Sequence, residues 1–394
     1  MSRWFRAYVQ VPAAAMVALA SVAMAEEPPA EDDLLLQRIL VEGTVDAEWI
    51  APAVRAQLTP ELIARVVGQV RAAAGALEAV TPTGDQWEVT FENGTMTVAM
   101  SRDEEGRLTG IWFNEVMPRD LTVEQVVAAM DELEGETALL VVAGDTVLGE
   151  RNADAELLVG SAFKLAVLAA VRDAVEAGTL QWDQVVRVDA TQASLPTGML
   201  QSYPDGHPVT VATVAAMMIS VSDNTATDLL MDLVGRDQVE AIAGFAPVLT
   251  TAEYFKLKAD AGLYRRYLGA TLPERRQILD ELRSVDLPPV AAVANGRTAH
   301  GWRLSVRALC DMMATVGDLE LLSINPGAVP EIDWTQVAFK GGSDQGLVNL
   351  SHRLTPAEGP PICISVTWND DRVVDEDGVA RLVARLSHAL RDAN

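Results

Sequence analysis

The sequence predicts two mixed domains of helices and strands behind a short export signal. Helix patterns precede a meander of strands in residues 26–118, which is the order expected of a small α+β domain. In residues 119–394, an early strand pair and a late set of strands enclose a long helical stretch, which predicts an α/β domain. Hydrophobic residues make up 49% of the 394-residue chain, enough for a core in each domain.

Residues 1–25 have the parts of a secretory signal. Arg3 and Arg6 form the positive end, an apolar core follows, and Ala23-Met24-Ala25 offers a cleavage site. The alternative is a retained membrane anchor, but the core is alanine-rich, contains a proline and is short for a span. No cysteine lies near the cut, so a lipid anchor is not expected. We therefore expect a secreted or periplasmic chain with no membrane contact after cleavage.

Residues 26–118 begin with helix patterns and end with strands. Asn93-Gly94 between two alternating segments is a strong hairpin signal, and Thr59-Pro60-Glu61 is typical of a helix start. We expect this domain to fold as a cone around a pocket. The predicted helices span 33–40, 46–58 and 59–74, and the predicted strands span 86–91, 95–101 and 107–113.

Residues 119–394 alternate between strand and helix patterns with no internal repeat. The boundary is set by the Met117-Pro118-Arg119-Asp120 segment. The predicted helices begin near residues 121, 161, 210, 225 and 379, and the predicted strands span 137–142, 146–150, 185–188, 334–339, 347–353 and 362–368.

Ser161 and Lys164 are the first candidate catalytic residues. They stand three apart where an apolar helix begins, so their side chains share a face. A serine hydroxyl needs a neighbouring base, and a buried lysine is a suitable one because burial lowers its pKa. The pattern alone occurs by chance about once in a chain of this length. The alternative is a helix-capping serine with a solvated lysine.

Two later motifs favour the catalytic interpretation. Ser222-Asp223-Asn224 lies 61 residues after Ser161, and Lys340-Gly341-Gly342-Ser343 begins 118 residues after Ser222. With these motifs in order, residues 119–394 resemble the class A β-lactamase family of active-site serine enzymes. The resemblance implies a sandwich in which an antiparallel sheet lies beside a helical lobe.

The resemblance also implies roles for the motif residues. Ser161 would be the nucleophile and Lys164 its base, while Ser222 would pass a proton to the leaving group. Asn224 would bind Lys164 and the substrate amide. Lys340 would hold Lys164 neutral and attract a substrate carboxylate.

By the same resemblance, the remaining substrate contacts would come from backbone N–H groups. The N–H groups of Ser161 and Ser343 would form the oxyanion hole, with Gly342 beside them. We expect Asp223 to organise its turn rather than take part in the chemistry. No metal or other cofactor is implied.

The chain departs from the family pattern in two ways. Gly341 replaces a hydroxyl residue that commonly binds the β-lactam carboxylate, and Ser343 is the candidate substitute. The family's Glu-x-x-Leu-Asn string, whose glutamate activates the deacylating water, is absent. Glu253 stands in about the right region, but a surface or salt-bridged glutamate is the favoured interpretation of it. We therefore expect the acyl-enzyme to form and to hydrolyse slowly.

The first domain resembles, in order and pattern, the NTF2-like domain that precedes the hydrolase in some secreted class A-like proteins. One such protein is encoded in a clavulanic acid gene cluster. The domain carries no acid–base pair that we interpret as catalytic. Its expected role is either shielding or binding of substrate, or that of a structural partner.

Charge and cysteine content exclude several classes. A formal net charge of −26 repels nucleic acid and anionic lipid. The four histidines are scattered, so neither a zinc hydrolase nor a Ser-His-Asp triad has its parts. Cys310 and Cys363 lie far apart in apolar runs, and we expect buried thiols rather than a disulfide, although export would permit one.

These observations predict an exported serine hydrolase that acts through an acyl-enzyme on Ser161. The substrate would be a β-lactam or a related small or peptidoglycan-like amide or ester. The alternatives are an esterase, a D-Ala-D-Ala peptidase, and a non-catalytic sensor that keeps the fold. The sequence does not predict an oligomeric state.

Overall fold

A computed structural model describes residues 32–43, 45–84, 86–114, 116–118, 120–293 and 301–391. The predicted signal segment lies outside these residues. The described chain divides into two compact units, one ending at Asp120 and the other beginning at Leu121. Within this part of the chain, no helix combines the length and apolar character needed to cross a bilayer.

The N-terminal unit packs two helices on an antiparallel sheet in which four strands lie in chain order and a fifth pairs with the third. Thr59 caps the second helix by accepting a hydrogen bond from the Leu62 N–H (3.2 Å), and Pro60 occupies the first turn. The elements are α1 (Asp32–Glu42), α2 (Pro60–Ala74), β1 (Leu77–Thr83), β2 (Gln86–Phe91), β3 (Gly94–Arg102), β4 (Leu108–Phe113) and β5 (Met117–Pro118).

The predicted hairpin forms, with Phe91 paired to Gly94 across a two-residue turn. The predicted helix at 46–58 is wrong. A 3-10 helix spans Ala47–Trp49, and turns follow it. Pro52 lacks the N–H that a continuing helix would need, which explains the break. The strand β1 was not predicted, and most of its residues are exposed.

The C-terminal unit is built on a five-stranded antiparallel sheet. The last three strands of the chain lie side by side in order, and the last of them pairs with the first strand of this unit, which pairs with the second. Its strands are β6 (Glu136–Ala143), β7 (Thr146–Arg151), β8 (Leu157–Leu158), β9 (Val185–Arg187), β10 (Pro208–Thr210), β11 (Arg303–Leu304), β12 (Gln336–Asp344), β13 (Leu347–Thr355) and β14 (Ile362–Asn369).

Helices cover both faces of this sheet, and alternate residues of β6 pack into the cores on its two sides. Leu139 and Val141 pack with the first and last helices of the unit, while Ala138 and Leu140 pack with helices that lie between these two in the chain. The helices are α3 (Val123–Asp131), α4 (Lys164–Glu176), α5 (Val211–Ser220), α6 (Asn224–Val234), α7 (Arg236–Ala243), α8 (Thr251–Ala259), α9 (Ala261–Gly269), α10 (Leu272–Leu282), α11 (Val290–Val293), α12 (Val306–Val316) and α13 (Glu376–Arg391).

Cys310 and Cys363 form a disulfide, so the expectation of two buried thiols is wrong. Cys310 lies on α12 and Cys363 on β14, and the helix packs across that strand. Both residues are buried, as their apolar surroundings in the sequence indicated. Their separation of 53 residues gave no sign that the fold brings them together.

We expect the Cys310→Ala/Cys363→Ala variant to unfold more easily than the oxidised protein. Closing a 53-residue loop restricts the unfolded chain, so losing the bond should lower the free energy of unfolding by about 2–4 kcal/mol. Urea unfolding with and without reductant measures the difference. Reductant should destabilise the wild type and leave the variant unchanged. Coincident curves for the oxidised wild type and the variant would contradict this expectation.

Candidate active site

Ser161 lies where the chain turns from a strand into the central helix of the unit. Gly160 has a positive φ of 51°, and a 3-10 helix over Gly160–Phe163 leads into α4. The first eight residues of α4 are all buried. The ring of Phe163 stacks on Trp302 with centroids 4.0 Å apart, which holds this turn. Ser161 is therefore half-buried at the amino end of a rigid helix.

Lys164, one helical turn after Ser161, is fully buried. Its Nζ donates to the Ser222 carbonyl oxygen (2.7 Å), to Ser222 Oγ (3.1 Å) and to Asn224 Oδ1 (2.7 Å). Burial and the nearby charge of Lys340 hold the pKa of Lys164 well below its ordinary value. A lowered pKa makes the Lys164 amine easier to deprotonate than that of an exposed lysine, which suits a general base.

Ser222 stands between two lysines. Its hydroxyl accepts hydrogen bonds from Lys164 Nζ (3.1 Å) and Lys340 Nζ (3.2 Å). Its backbone has a φ of +56°, a conformation that L residues rarely adopt. The Thr197 hydroxyl and Lys164 both donate to the Ser222 carbonyl, which fixes this conformation. The hydroxyl can relay a proton because it touches both amines.

Asp223 is a structural residue, as expected from the sequence. It is fully buried, and its carboxylate accepts N–H hydrogen bonds from Ala226, Met199 and Leu200. Asn224 begins helix α6 and donates from Nδ2 to the Leu195 carbonyl while its Oδ1 binds Lys164. The turn therefore aims Asn224 at the lysine.

Lys340 lies on strand β12 and is also buried. Its Nζ donates to Ser222 Oγ (3.2 Å) and to the carbonyl oxygen of Gly341 (2.6 Å). Burial lowers the pKa of Lys340 to about 7. At neutral pH, Lys340 is therefore protonated in some molecules and neutral in others.

The end of β12 lies directly against the serine turn. A Cβ added to Gly342 would lie 2.1 Å from the Val159 carbonyl oxygen and 2.5 Å from the Ser161 nitrogen, so only glycine fits. A Cβ on Gly160 would lie 3.1 Å from the Ser343 nitrogen. The backbone nitrogens of Ser161 and Ser343 therefore border the same narrow space.

Gly341 is explained by its neighbours on the sheet. A Cβ there would lie 2.7 Å from Cζ of Phe339 and 3.0 Å from the Asn349 carbonyl oxygen. The Phe339 ring is buried and stacks on His352, so it has little freedom to move away. A threonine at position 341 would therefore disturb the strand.

Ser343, the candidate substitute for the hydroxyl missing at Gly341, lies near the end of β12 and pairs in register with Val348 on β13. Its side chain is half-buried.

Glu253 has structural partners at both carboxylate oxygens. Its Oε1 accepts from Arg236 Nη2 (2.7 Å), and its Oε2 accepts from the Thr250 N–H (2.8 Å) in a capping box at the start of α8. This is the salt-bridged arrangement that the sequence favoured for Glu253.

Two further groups near the motifs were not recognised in the sequence. Asp344 follows the last motif directly, and Lys258 Nζ donates to both of its carboxylate oxygens (2.8 and 2.6 Å). Asp228, one turn after Asn224, accepts hydrogen bonds from Thr251 and Ala252 and so joins α6 to α8. Burial raises the pKa of Asp228 to about 7. No cluster of three metal-binding side chains occurs among the described residues.

One family model matches part of the C-terminal unit. Residues 122–245 match the family model described as "Beta-lactamase enzyme family", which covers less than a third of the chain and includes Ser161, Lys164 and Ser222. This part of the chain is therefore β-lactamase-like. No curated protein sequence matches the chain.

The chain also aligns with solved structures of other proteins. A β-lactamase from Sphaerobacter thermophilus DSM 20745 is 22% identical over 69% of this chain and 96% of its own, with a TM-score of 0.49. PBP-A is 16% identical over 70% and 98%, with a TM-score of 0.46. A β-lactamase from Chitinophaga pinensis DSM 2588 is 20% identical over 68% and 98%, with a TM-score of 0.46.

We expect the acylation rate of Ser161 to have a bell-shaped pH dependence. The base form of Lys164 is lost as the pH falls through its lowered pKa, so the rate falls in acid. The charge of Lys340, which would stabilise negative charge beside Ser161, is lost as the pH rises above about 7. Stopped-flow acylation across pH measures both limbs.

Lys340→Arg is the control for the alkaline limb, because a guanidinium keeps its charge. That limb should move to higher pH in the variant. An alkaline limb that stays in place would show that another group causes it.

Proposed function

We propose that the C-terminal unit is a serine hydrolase that works through an acyl-enzyme on Ser161. The observation that carries the proposal is the meeting of two buried lysines at one hydroxyl. Lys164 and Lys340 both donate to Ser222 Oγ, and Lys164 lies one turn from Ser161. Burial first, and then the charge of Lys340, lowers the pKa of Lys164, and a lowered pKa suits a lysine that accepts a proton from a serine.

The proposed reaction begins with attack of Ser161 Oγ on the substrate carbonyl, while its proton passes to Lys164. The N–H groups of Ser161 and Ser343 would bind the oxyanion. When the carbonyl–nitrogen or carbonyl–oxygen bond breaks, the leaving group would take a proton through Ser222. Water would then hydrolyse the acyl-enzyme and release Ser161.

The proposed substrates are β-lactams or related amides and esters. An ester or a D-Ala-D-Ala peptide would use the same residues, so both remain alternatives within this chemistry. The family match supports the acyl-transfer class and does not select among these substrates.

A slowly turning-over sensor is the second candidate, and Glu253 favours it. Both carboxylate oxygens of Glu253 are held by Arg236 and Thr250, so it is not free to activate water. The proposed acylation step has a candidate for each of its groups, whereas we identify no deacylation base among the described residues.

We also propose export, with a mature chain beginning near Glu26. The Cys310–Cys363 disulfide supports export, because such bonds persist in oxidising compartments. Sequencing the amino terminus of exported protein tests it, and intact Met1 would contradict it. An NTF2-like role for residues 26–118, as a substrate shield or structural partner, belongs to the same proposal.

Intact-protein mass after incubation with β-lactams and with a fluorophosphonate tests the function. The wild type should gain one adduct, and Ser161→Ala should gain none because the nucleophile is gone. Lys164→Ala should acylate about 10²–10⁴-fold more slowly, since general-base help is typically of that size. An adduct that persists in Ser161→Ala would show that the nucleophile is elsewhere.

We expect a chromogenic substrate to be consumed in two unequal steps. A burst equal to the enzyme concentration should precede slow release, because no described group serves as an evident deacylation base. Stopped-flow absorbance measures the burst, and mass spectrometry measures the trapped acyl-enzyme. Glu253→Gln is the control and should leave the slow phase unchanged if Glu253 is structural. Fast linear turnover that Glu253→Gln abolishes would reverse this assignment.

A further inference from the structure

A chain of contacts that runs through helix α8 connects Ser161 to Ser343. The backbone nitrogens of these two residues border one narrow space, since a Cβ on Gly160 would lie 3.1 Å from the Ser343 nitrogen. An oxyanion hole stabilises charge only when its N–H donors are fixed where that charge develops. The contacts that fix the two nitrogens therefore bear on the proposed acylation.

Aromatic rings form the part of this chain that begins at the serine. Phe163, two residues after Ser161, stacks on Trp302 with ring centroids 4.0 Å apart. The Trp302 indole N–H donates to the Leu249 carbonyl oxygen (2.9 Å), and the Tyr254 ring lies beside it with centroids 4.8 Å apart. A row of three rings thus leads from the serine turn to helix α8.

The same tyrosine belongs to a group of three side chains at the end of β12, which we call the α8 clamp: Tyr254, Lys258 and Asp344. The Tyr254 hydroxyl donates to Asp344 Oδ2. Lys258 Nζ donates to both carboxylate oxygens of Asp344 (2.8 and 2.6 Å) and lies 5.7 Å from the centre of the Tyr254 ring. Asp344 directly follows Ser343, so the clamp holds the residue next to an oxyanion nitrogen.

The ion pair of the clamp is largely withdrawn from water. The Lys258 side chain is 5% exposed, and that of Asp344 is 29% exposed. Removing one partner of such a pair is costly, because the other keeps a charge that water solvates poorly. Without Lys258, a carboxylate would stand alone one residue from the N–H that binds the oxyanion. That negative charge would oppose the charge that develops on the substrate.

We propose that Lys258 is a positioning residue for acylation, which through Asp344 holds the Ser343 N–H in the oxyanion hole and neutralises the carboxylate beside it. Tyr254 connects the clamp to the row of rings, so helix α8 fixes the spacing between the nitrogens of Ser161 and Ser343. The inference rests on the proposed function, because it concerns the oxyanion of the acyl transfer to Ser161.

A pair of p-nitrophenyl esters tests the proposal on the full chain. In the acetate, the carbonyl oxygen becomes the oxyanion, whereas its thiono analogue has sulfur at that place, which accepts hydrogen bonds more weakly. Stopped-flow absorbance measures the rate at which each ester acylates Ser161. The oxygen-to-sulfur rate ratio reports on the oxyanion hole, because a variant that merely loosens the fold would slow both esters alike.

Lys258→Met should slow acylation by the acetate about 10- to 100-fold, because a misplacement of about 1 Å at a reacting centre can cost about 10²-fold. Acylation by the thiono ester should slow less than about threefold, so the rate ratio should fall. Adding Asp344→Asn to this variant removes the unpaired carboxylate and should raise the acetate rate at least about fivefold.

Tyr254→Phe is a second variant, which keeps the ring beside Trp302 and loses only the hydroxyl that donates to Asp344. It should lower the rate ratio about 3- to 10-fold, because one hydrogen bond to a charged group is lost. Thermal unfolding checks that each variant is folded, and Tyr254→Phe decides the question if Lys258→Met does not fold.

Lys256→Met is the matched control. Lys256 lies two residues before Lys258 on the same helix, and its Nζ donates to the Leu282 carbonyl oxygen at the end of α10 (3.0 Å). The variant removes the same charge and one contact of α8 with a neighbouring element. It should leave the rate ratio unchanged.

Three results would overturn the inference. The rate ratio could stay at the wild-type value in both Lys258→Met and Tyr254→Phe. Lys256→Met could lower it as much as Lys258→Met, or the added Asp344→Asn could leave the acetate rate unrestored. If the acetate labels Ser161 in the wild type and one of these results is found, the proposed function stands and the inference fails. If neither ester labels Ser161, the proposed acyl transfer fails and the inference fails with it.

Discussion

The burial of Lys164 is the constraint on which the candidate site depends. A lysine that is buried away from water must either lose its charge or donate a hydrogen bond from each of its N–H groups. Ser222 and Asn224 supply those acceptors, and Lys340 disfavours the charge. The fold meets the requirement by starting α4 and α6 at the same place, so that the first residue of each helix meets the other. The sheet then adds the second lysine from β12.

The same constraint extends beyond Lys164, because the residues that accept its hydrogen bonds must themselves be held in place. Asn224 must be held, and its carbonyl oxygen accepts from Thr251, which also binds Asp228. These bonds anchor α8, the helix whose Lys258 is paired with Asp344 at the end of β12. Hydrogen bonds and helix α8 together thus connect Lys164 to the end of that strand. Such networks are strong when complete and costly when one member is lost.

The sequence predicted the parts of the site that have local signals. Ser161, Lys164, Ser222 and Asn224 stand at or just before helix starts that apolar runs and capping residues mark, and hydrogen bonds join Lys164 to Ser222 and Asn224. The disulfide and the Lys258–Asp344 pair join residues that are distant in the chain, 53 and 86 residues apart. Nothing in a local pattern indicates which cysteine or acid will meet which partner, because tertiary packing decides it. The helix predicted at 46–58 shows the opposite error. The prediction gave more weight to the apolar spacing than to Pro52, which interrupts a helix.

Ser222 also couples the site to the stability of the fold. A side chain in the left-handed region costs about 1 kcal/mol relative to glycine, which adopts that conformation freely. The turn at 222 would therefore be more stable with glycine, but glycine has no hydroxyl to place between the two lysines. A glycine at position 222 would relieve the strained backbone but would take a hydrogen-bond acceptor from two buried lysines. The turn and the two amines therefore make opposite demands on the same residue.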